Sequence, residues 1–474
     1  MSSSMSLRGL SQLSLDAVSR SAIPTRSLMI APQASCFSTS AARYANPTMK
    51  KKGMGAAPKK GVKSLRITKS NKDAAGSGKR PAPGERKAMR KRIVLSNDNA
   101  LEVAGLQDLT AENALDASHQ GKVRGIPEEA VDALRAVEAF KPRQGWSLFR
   151  RPAVLMRKET MELAQIMKKI ESSEKSKKES KRIIVYGERM GGKSTLLLQG
   201  ITMAFLRKWT IINLPEGQDI VNAHTDYAPL PGSQPLQYTQ DTYTAGLLSQ
   251  IVKANQGFLA ATKVSAKHDL PLPLSKGATL KQLAELGAAN PEAAWPVFVA
   301  LWTELTQPGR PPILVGVDGL SHIMRESEYL NSNVKPIHAH DLTIVRHFVD
   351  LFSGKTALPN GGLVLGVTSG SNSPANSAIE LSIAGAEARQ SKSALPQWNP
   401  YKAIDQRAVE CLKNVDVLKV SGISKEEARS IMDYYAESGV LRAQVNEGFV
   451  SERWSLAGMG NIGELERATV RLRV

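Results

Sequence analysis

From Arg182 onward, short apolar runs alternate with longer stretches in which apolar residues recur every three or four positions. The runs cover residues 183–186, 209–214, 313–317, 363–368 and 415–420. Unbroken apolar runs of this length are what strands buried on both faces look like. Helical stretches lie between most of them, at residues 196–206, 244–254 and 339–352. Buried strands alternating with helices predict an α/β fold, a mostly parallel sheet flanked by helices. Upstream, Val131, Leu134, Val137 and Phe140 are three apart and follow Pro127, which predicts an amphipathic helix. Residues 144–152 are aromatic and basic and are expected to pack on the core. Residues 171–181 form a charged run, read as a solvated helix end or linker. There are no internal repeats, and no apolar run approaches the roughly 18 residues of a membrane span.

This pattern divides the 474 residues into five parts. Residues 182–420 are the α/β domain. Residues 98–181 are a helical and extended segment packing on it, and 421–474 a mainly helical C-terminal region. Residues 1–45 and 46–97 carry no core pattern. The first of these holds Arg8, Arg20, Arg26 and Arg43 against one acid, Asp16, is rich in Ser, and spaces Leu7, Leu10, Leu13, Leu15 and Val18 on a helical rhythm. That combination is a mitochondrial transit peptide, addressed to the matrix and cleaved near residues 43–45.

Charge sharpens the second part. The chain has 63 Lys and Arg against 44 Asp and Glu, a net charge of +19. Residues 50–97 hold 16 of the basic residues and only Asp73 and Glu85 as acids, a block of +14. Such a block reads as an arm without fixed structure that binds a polyanion, nucleic acid above all. Cys36 and Cys411 are the only cysteines. They exclude a disulfide framework and a cysteine metal site, and imply a reducing compartment.

Between the first apolar run and its helix stands Gly187-Glu188-Arg189-Met190-Gly191-Gly192-Lys193-Ser194-Thr195. It fits G-x-x-x-x-G-K-[ST], the loop whose backbone N–H groups and helix N-terminus cradle phosphates. Lys193 is expected to reach the β- and γ-phosphates and Ser194 to ligate Mg²⁺. A carboxylate at the end of a neighbouring strand usually completes such a metal site, and Asp318 ends the run at 313–317. Thr368 closes another strand where a γ-phosphate sensor can stand, a plain turn hydroxyl being the competing reading. After Asp318 come Gly319, Leu320 and Ser321, so no water-activating Glu is present and no catalytic residue is assigned. Hydrolysis is expected to be slow or absent. There is no Asn-Lys-x-Asp, so the residues alone leave the base open. His338, His340, Asp341 and His347 raise the possibility of a metal, but a loop leading into a helix cap explains them better. Arg150, Arg151 and Arg389 read equally as phosphate contacts or as salt bridges.

Over residues 125–474 the chain resembles the death-associated protein three family of mitochondrial small-subunit ribosomal proteins, which carry an AAA-like P-loop domain. The likeness rests on residues 139–141 with 144–152, the phosphate loop, residues 209–216, residues 422–428 with Tyr434 and Tyr435, and residues 454–464. It implies a structural place in the head of the small subunit, contacts to ribosomal RNA, to ribosomal proteins and to the large subunit, and a bound guanine nucleotide, GTP or GDP. ATP stays open from the residues. The alternative reading is an active matrix NTPase of AAA or switch type, acting on nucleic acid or on ribosome assembly.

Overall fold

The strand-sized runs form one five-stranded parallel sheet in the computed structural model, which describes residues 92–173, 179–370, 374–401 and 403–471. The strands are β1 (Ser180–Gly187), β2 (Thr210–Leu214), β3 (Ile313–Asp318), β4 (Gly362–Val367) and β5 (Asp416–Val420). Their spatial order is β5-β1-β4-β3-β2. Leu365 of β4 lies opposite Ile183 of β1 on one side and Gly316 of β3 on the other. Side chains alternate across the sheet, and both faces are covered. Ile183, Val185, Leu363, Leu365, Val367 and Leu418 enter one buried cluster. Ile184, Ile212, Val315, Val317 and Val364 enter the other. Burial on both faces is why the strands read as continuous apolar runs.

The first face is packed by α1 (Glu128–Ala136), α2 (Lys158–Ser172) and α3 (Lys193–Leu206). The second is packed by α4 (Asp241–Ala254), α5 (Leu280–Ala289), α6 (Ala294–Leu305) and α7 (Thr343–Ser353). α8 (Ser377–Ser391) adds Ala378 and Ile379 to that second face. A third cluster joins α9 (Lys425–Glu437), α10 (Glu447–Leu456) and α11 (Ile462–Thr469) to the segment before β1. There the Phe149 ring stacks on Tyr435 at 5.3 Å, tilted by 24°, and lies 5.1 Å from Tyr434. Among the described residues no helix is long and apolar enough to cross a membrane.

Several boundaries differ from the sequence expectation. α1 ends at Ala136, because Glu138 turns the chain at φ 52°. Val137 and Phe140 therefore leave the helix, yet both stay buried. The helix expected from residue 339 is a 3-10 turn (Ala339–Asp341) followed by α7. α5, α6 and the antiparallel ribbon of Glu326–Leu330 with Pro336–His338 were not anticipated. The transit segment and the arm as far as residue 91 lie outside the described residues, as do residues 174–178 of the charged run. The last residues assigned to the arm are packed. Leu95 is buried, and the Asn97 N–H donates to the Phe149 carbonyl at 2.9 Å.

Candidate functional site

Parallel strands deliver their C-terminal ends to one edge of the sheet. That edge carries Gly187 at the end of β1, Asp318 at the end of β3 and Thr368 just past β4. The chain leaves β1 for the far edge of the sheet and later returns past it to β5. The loop after β1 thus sits where connections diverge, the usual ligand position of open α/β sheets.

Residues 187–192 form the turn. Met190 (φ 62°) and Gly192 (φ 94°) both take left-handed conformations. The loop carbonyls are all engaged. Lys193 donates to those of Gly187 (2.9 Å) and Glu188 (2.6 Å), and Asn461 to that of Arg189 (2.8 Å). The Gly463 N–H donates to Met190 (3.1 Å), Arg157 to Gly191 (2.8 Å), and the Leu196 N–H to Gly192 (2.9 Å). By contrast α3, fourteen residues long, has no side-chain cap at its N-terminus. The first N–H groups of such a helix lack intrahelical acceptors and favour an anion. Burial holds the Lys193 ammonium below the ordinary lysine range, opposed by the nearby Asp318 and Glu188 carboxylates. A buried cation beside uncapped N–H groups fits a phosphate group.

Asp318 is 5% exposed, and its carboxylate meets the Lys141 ammonium at 2.8 Å. Lys141 also donates to the Pro215 carbonyl. Its backbone N–H donates to Gln144 Oε1 (2.9 Å), which accepts a second bond from Trp146 Nε1 (2.7 Å). Gln144 Nε2 in turn donates to the Thr195 hydroxyl at 3.1 Å. Gly319 follows Asp318 at φ 80°, and its N–H donates to the Val367 carbonyl at 3.0 Å. The Thr368 N–H and hydroxyl both donate to the Val185 carbonyl, at 3.0 and 3.2 Å, which ties β4 to β1.

The structure therefore gathers the loop (Gly187, Glu188, Arg189, Met190, Gly191, Gly192, Lys193, Ser194, Thr195), Asp318 and Thr368 at one edge. It leaves the other candidates elsewhere. Arg150 pairs with Asp98 and Arg151 with Asp108, each at 2.8 Å, and Arg389 donates to the Val415 carbonyl at 3.4 Å. The His338 and His340 rings meet edge-on at 4.5 Å, and each histidine has its own partner. His338 pairs with Asp405 at 2.6 Å and caps the next turn, His340 lies against Met324 sulfur, and His347 packs edge-on to Trp302 and Phe298. Sequence reasoning missed Lys141, Gln144, Arg157 and Asn461 as neighbours of the loop. The resemblance drew on residues 139–141, 144–152 and 454–464, but nothing in those patterns marked Lys141, Gln144 or Asn461 as a contact of the loop.

A family model described as mitochondrial ribosomal death-associated protein 3 matches residues 154–468. The chain belongs to that family. It is 46% identical over 413 residues to the small ribosomal subunit protein mS29 of Neurospora crassa, covering 86% of this chain and 87% of the relative. It is 23% identical over 363 residues to the protein of the same name from Schizosaccharomyces pombe, covering 75% and 72%. The family match includes the phosphate loop, Asp318, Thr368 and Asn461. Lys141 and Gln144 precede it.

Proposed function

We propose that the chain is a structural constituent of the small subunit of the mitochondrial ribosome, working in the matrix, and that its phosphate loop holds a purine nucleotide. The names of both relatives support the ribosomal place. The fold assigned here is that of an AAA-like P-loop domain, on the strength of the loop between β1 and α3 and the strand order β5-β1-β4-β3-β2. The observation that carries the nucleotide reading is the uncapped α3 N-terminus beside the buried Lys193. GTP or GDP is favoured by the family resemblance, with ATP second. Ser194, on the first turn of α3, is the residue that would meet a Mg²⁺ carried on the phosphates. Small-subunit ribosomal RNA and ribosomal proteins are the partners, with further contacts to the large subunit. The +14 block at residues 50–97 is the part expected to meet RNA phosphates.

The second reading, an active NTPase, is favoured by the loop and by Asp318 in its expected place. Gly319 opposes it, since it offers no side chain to orient water where a catalytic Glu would stand. Sedimentation of mitochondrial extracts through sucrose at rising salt tests the main reading. The full chain should travel with small subunits at high salt, while a chain lacking residues 50–91 should assemble less well and show a flatter salt dependence. A full chain found wholly in the supernatant would defeat the ribosomal assignment.

A further inference from the structure

Asp318 already holds a cation. Its carboxylate is 7% exposed and receives the Lys141 ammonium at 2.8 Å. The same carboxylate acts on the buried Lys193. Asp318 therefore lies in the field of two ammonium groups, in a site with little water. A divalent ion coordinated there would have to crowd or displace Lys141, and like-charge repulsion grows as the local dielectric falls. Lys141 is not free to swing away. Its ammonium is also bound to the Pro215 carbonyl. Its backbone is fixed through Gln144, which is itself tied to Trp146 and to Thr195 on α3. Magnesium binds best with oxygen ligands in near-octahedral geometry and usually takes one or two carboxylates. At this edge the carboxylate of Asp318 is committed to a lysine.

We propose that Lys141 takes the position of the strand-end metal contact, so that the chain holds its nucleotide phosphates with two lysines and does not need a divalent ion on Asp318. The inference rests on the nucleotide reading above. An ammonium is a compact point charge, suited to neutralise Asp318 on one side and phosphate on the other. Lys141 holds the Asp318 carboxylate in place. With nucleotide bound it is a second phosphate cation beside Lys193. The geometry also predicts that Ser194 contributes less to affinity than Lys141 does.

The test is the affinity of the full chain for a ribose-labelled fluorescent GDP in Mg²⁺ and in EDTA. The wild type should change by less than about threefold between the two buffers. Lys141→Met should lose at least about tenfold in EDTA and recover much of it with Mg²⁺. Lys141→Arg should restore metal independence, which a purely packing role for Lys141 would not produce. A wild-type loss of about tenfold or more in EDTA overturns the proposal and leaves nucleotide binding intact. So does a Lys141→Met chain that binds equally in both buffers. No GDP binding by the wild type in either buffer overturns the nucleotide reading, and this inference with it. Should Lys141→Met fail to fold, the wild-type comparison alone decides.

Discussion

Replacing Lys193 by Ala separates what the lysine does for the fold from what it does for a ligand. Lys193 is 6% exposed and makes two hydrogen bonds to loop carbonyls. Hydrogen bonds from a charged donor contribute about 1.5–3 kcal/mol each. Against them stands the cost of burying an ammonium, which its lowered pKa shows to be felt. The two effects oppose each other, and Lys193→Ala without nucleotide should change stability by no more than about 1 kcal/mol. At about 2.1 cal/mol/K of unfolding entropy per residue, a chain of this size shifts its melting point by about 1 °C per kcal/mol. Nucleotide at about a thousand times its dissociation constant adds about 4 kcal/mol to the native state alone. The wild type should therefore gain about 4 °C with millimolar GDP, and Lys193→Ala almost nothing. Scanning calorimetry of both proteins with and without GDP measures all four values. A wild type that does not shift, or a variant that shifts equally, refutes the phosphate role of the loop.

Two further outcomes can be measured. In single-turnover assays on isolated small subunits, phosphate release should stay below about one per second, the low end of enzyme turnover. Release above that rate from the wild type would make the chain an NTPase. Burial, then the neighbouring His338, depresses the pKa of His340 to about 3. The unfolded chain therefore binds this proton first, and stability present above about pH 6.5 is lost as pH falls towards 3, about 2 kcal/mol of it by pH 5. His340→Leu should remove that portion of the acid sensitivity, read from urea midpoints at pH 7 and pH 5; an unchanged difference between the two midpoints would contradict it.

The strands and the glycine-rich turn between β1 and α3 were legible because their physics is local. A strand buried on both faces must be apolar throughout, and a loop that wraps a phosphate must place its glycines and lysine at fixed spacing. Asp318 was legible for a related reason, since it ends an apolar run. Lys141 was not. Its contact with Asp318 spans more than half of the chain between Phe140 and the C-terminus, and nothing around an Ala-Phe-Lys-Pro sequence marks one lysine as buried against a carboxylate. Asn461 and Gly463 were invisible for the same reason. They read as a helix cap and its first turn, and Asn461 does cap α11. Its second role, a bond to the Arg189 carbonyl, exists only once the C-terminal helices have docked. The end of α1 escaped because Val137 and Phe140 keep their helical spacing and stay buried after the helix has stopped.

These long-range bonds bear on whether the loop can act as a switch. A switching NTPase moves elements around its phosphate loop as phosphate is lost. Here the loop is bonded by residues on both sides of it in the sequence. Arg157, ahead of β1, holds the Gly191 carbonyl and also the Ser421 carbonyl beyond β5. Glu159 accepts from the Ser421 N–H at 3.0 Å, closing the same bracket. From α11, Gly463 lies so close to Met190 that an added Cβ would come within 2.8 Å of its side chain. Displacing the loop would break several of these bonds together, at about 1 kcal/mol each and more where the donor is charged and buried. Filling the loop with phosphate adds to the same set of contacts. On the proposed reading, nucleotide in such a place would tighten the junction between the N-terminal segment, the sheet and the C-terminal helices, which is what a fixed ribosomal component would draw from it.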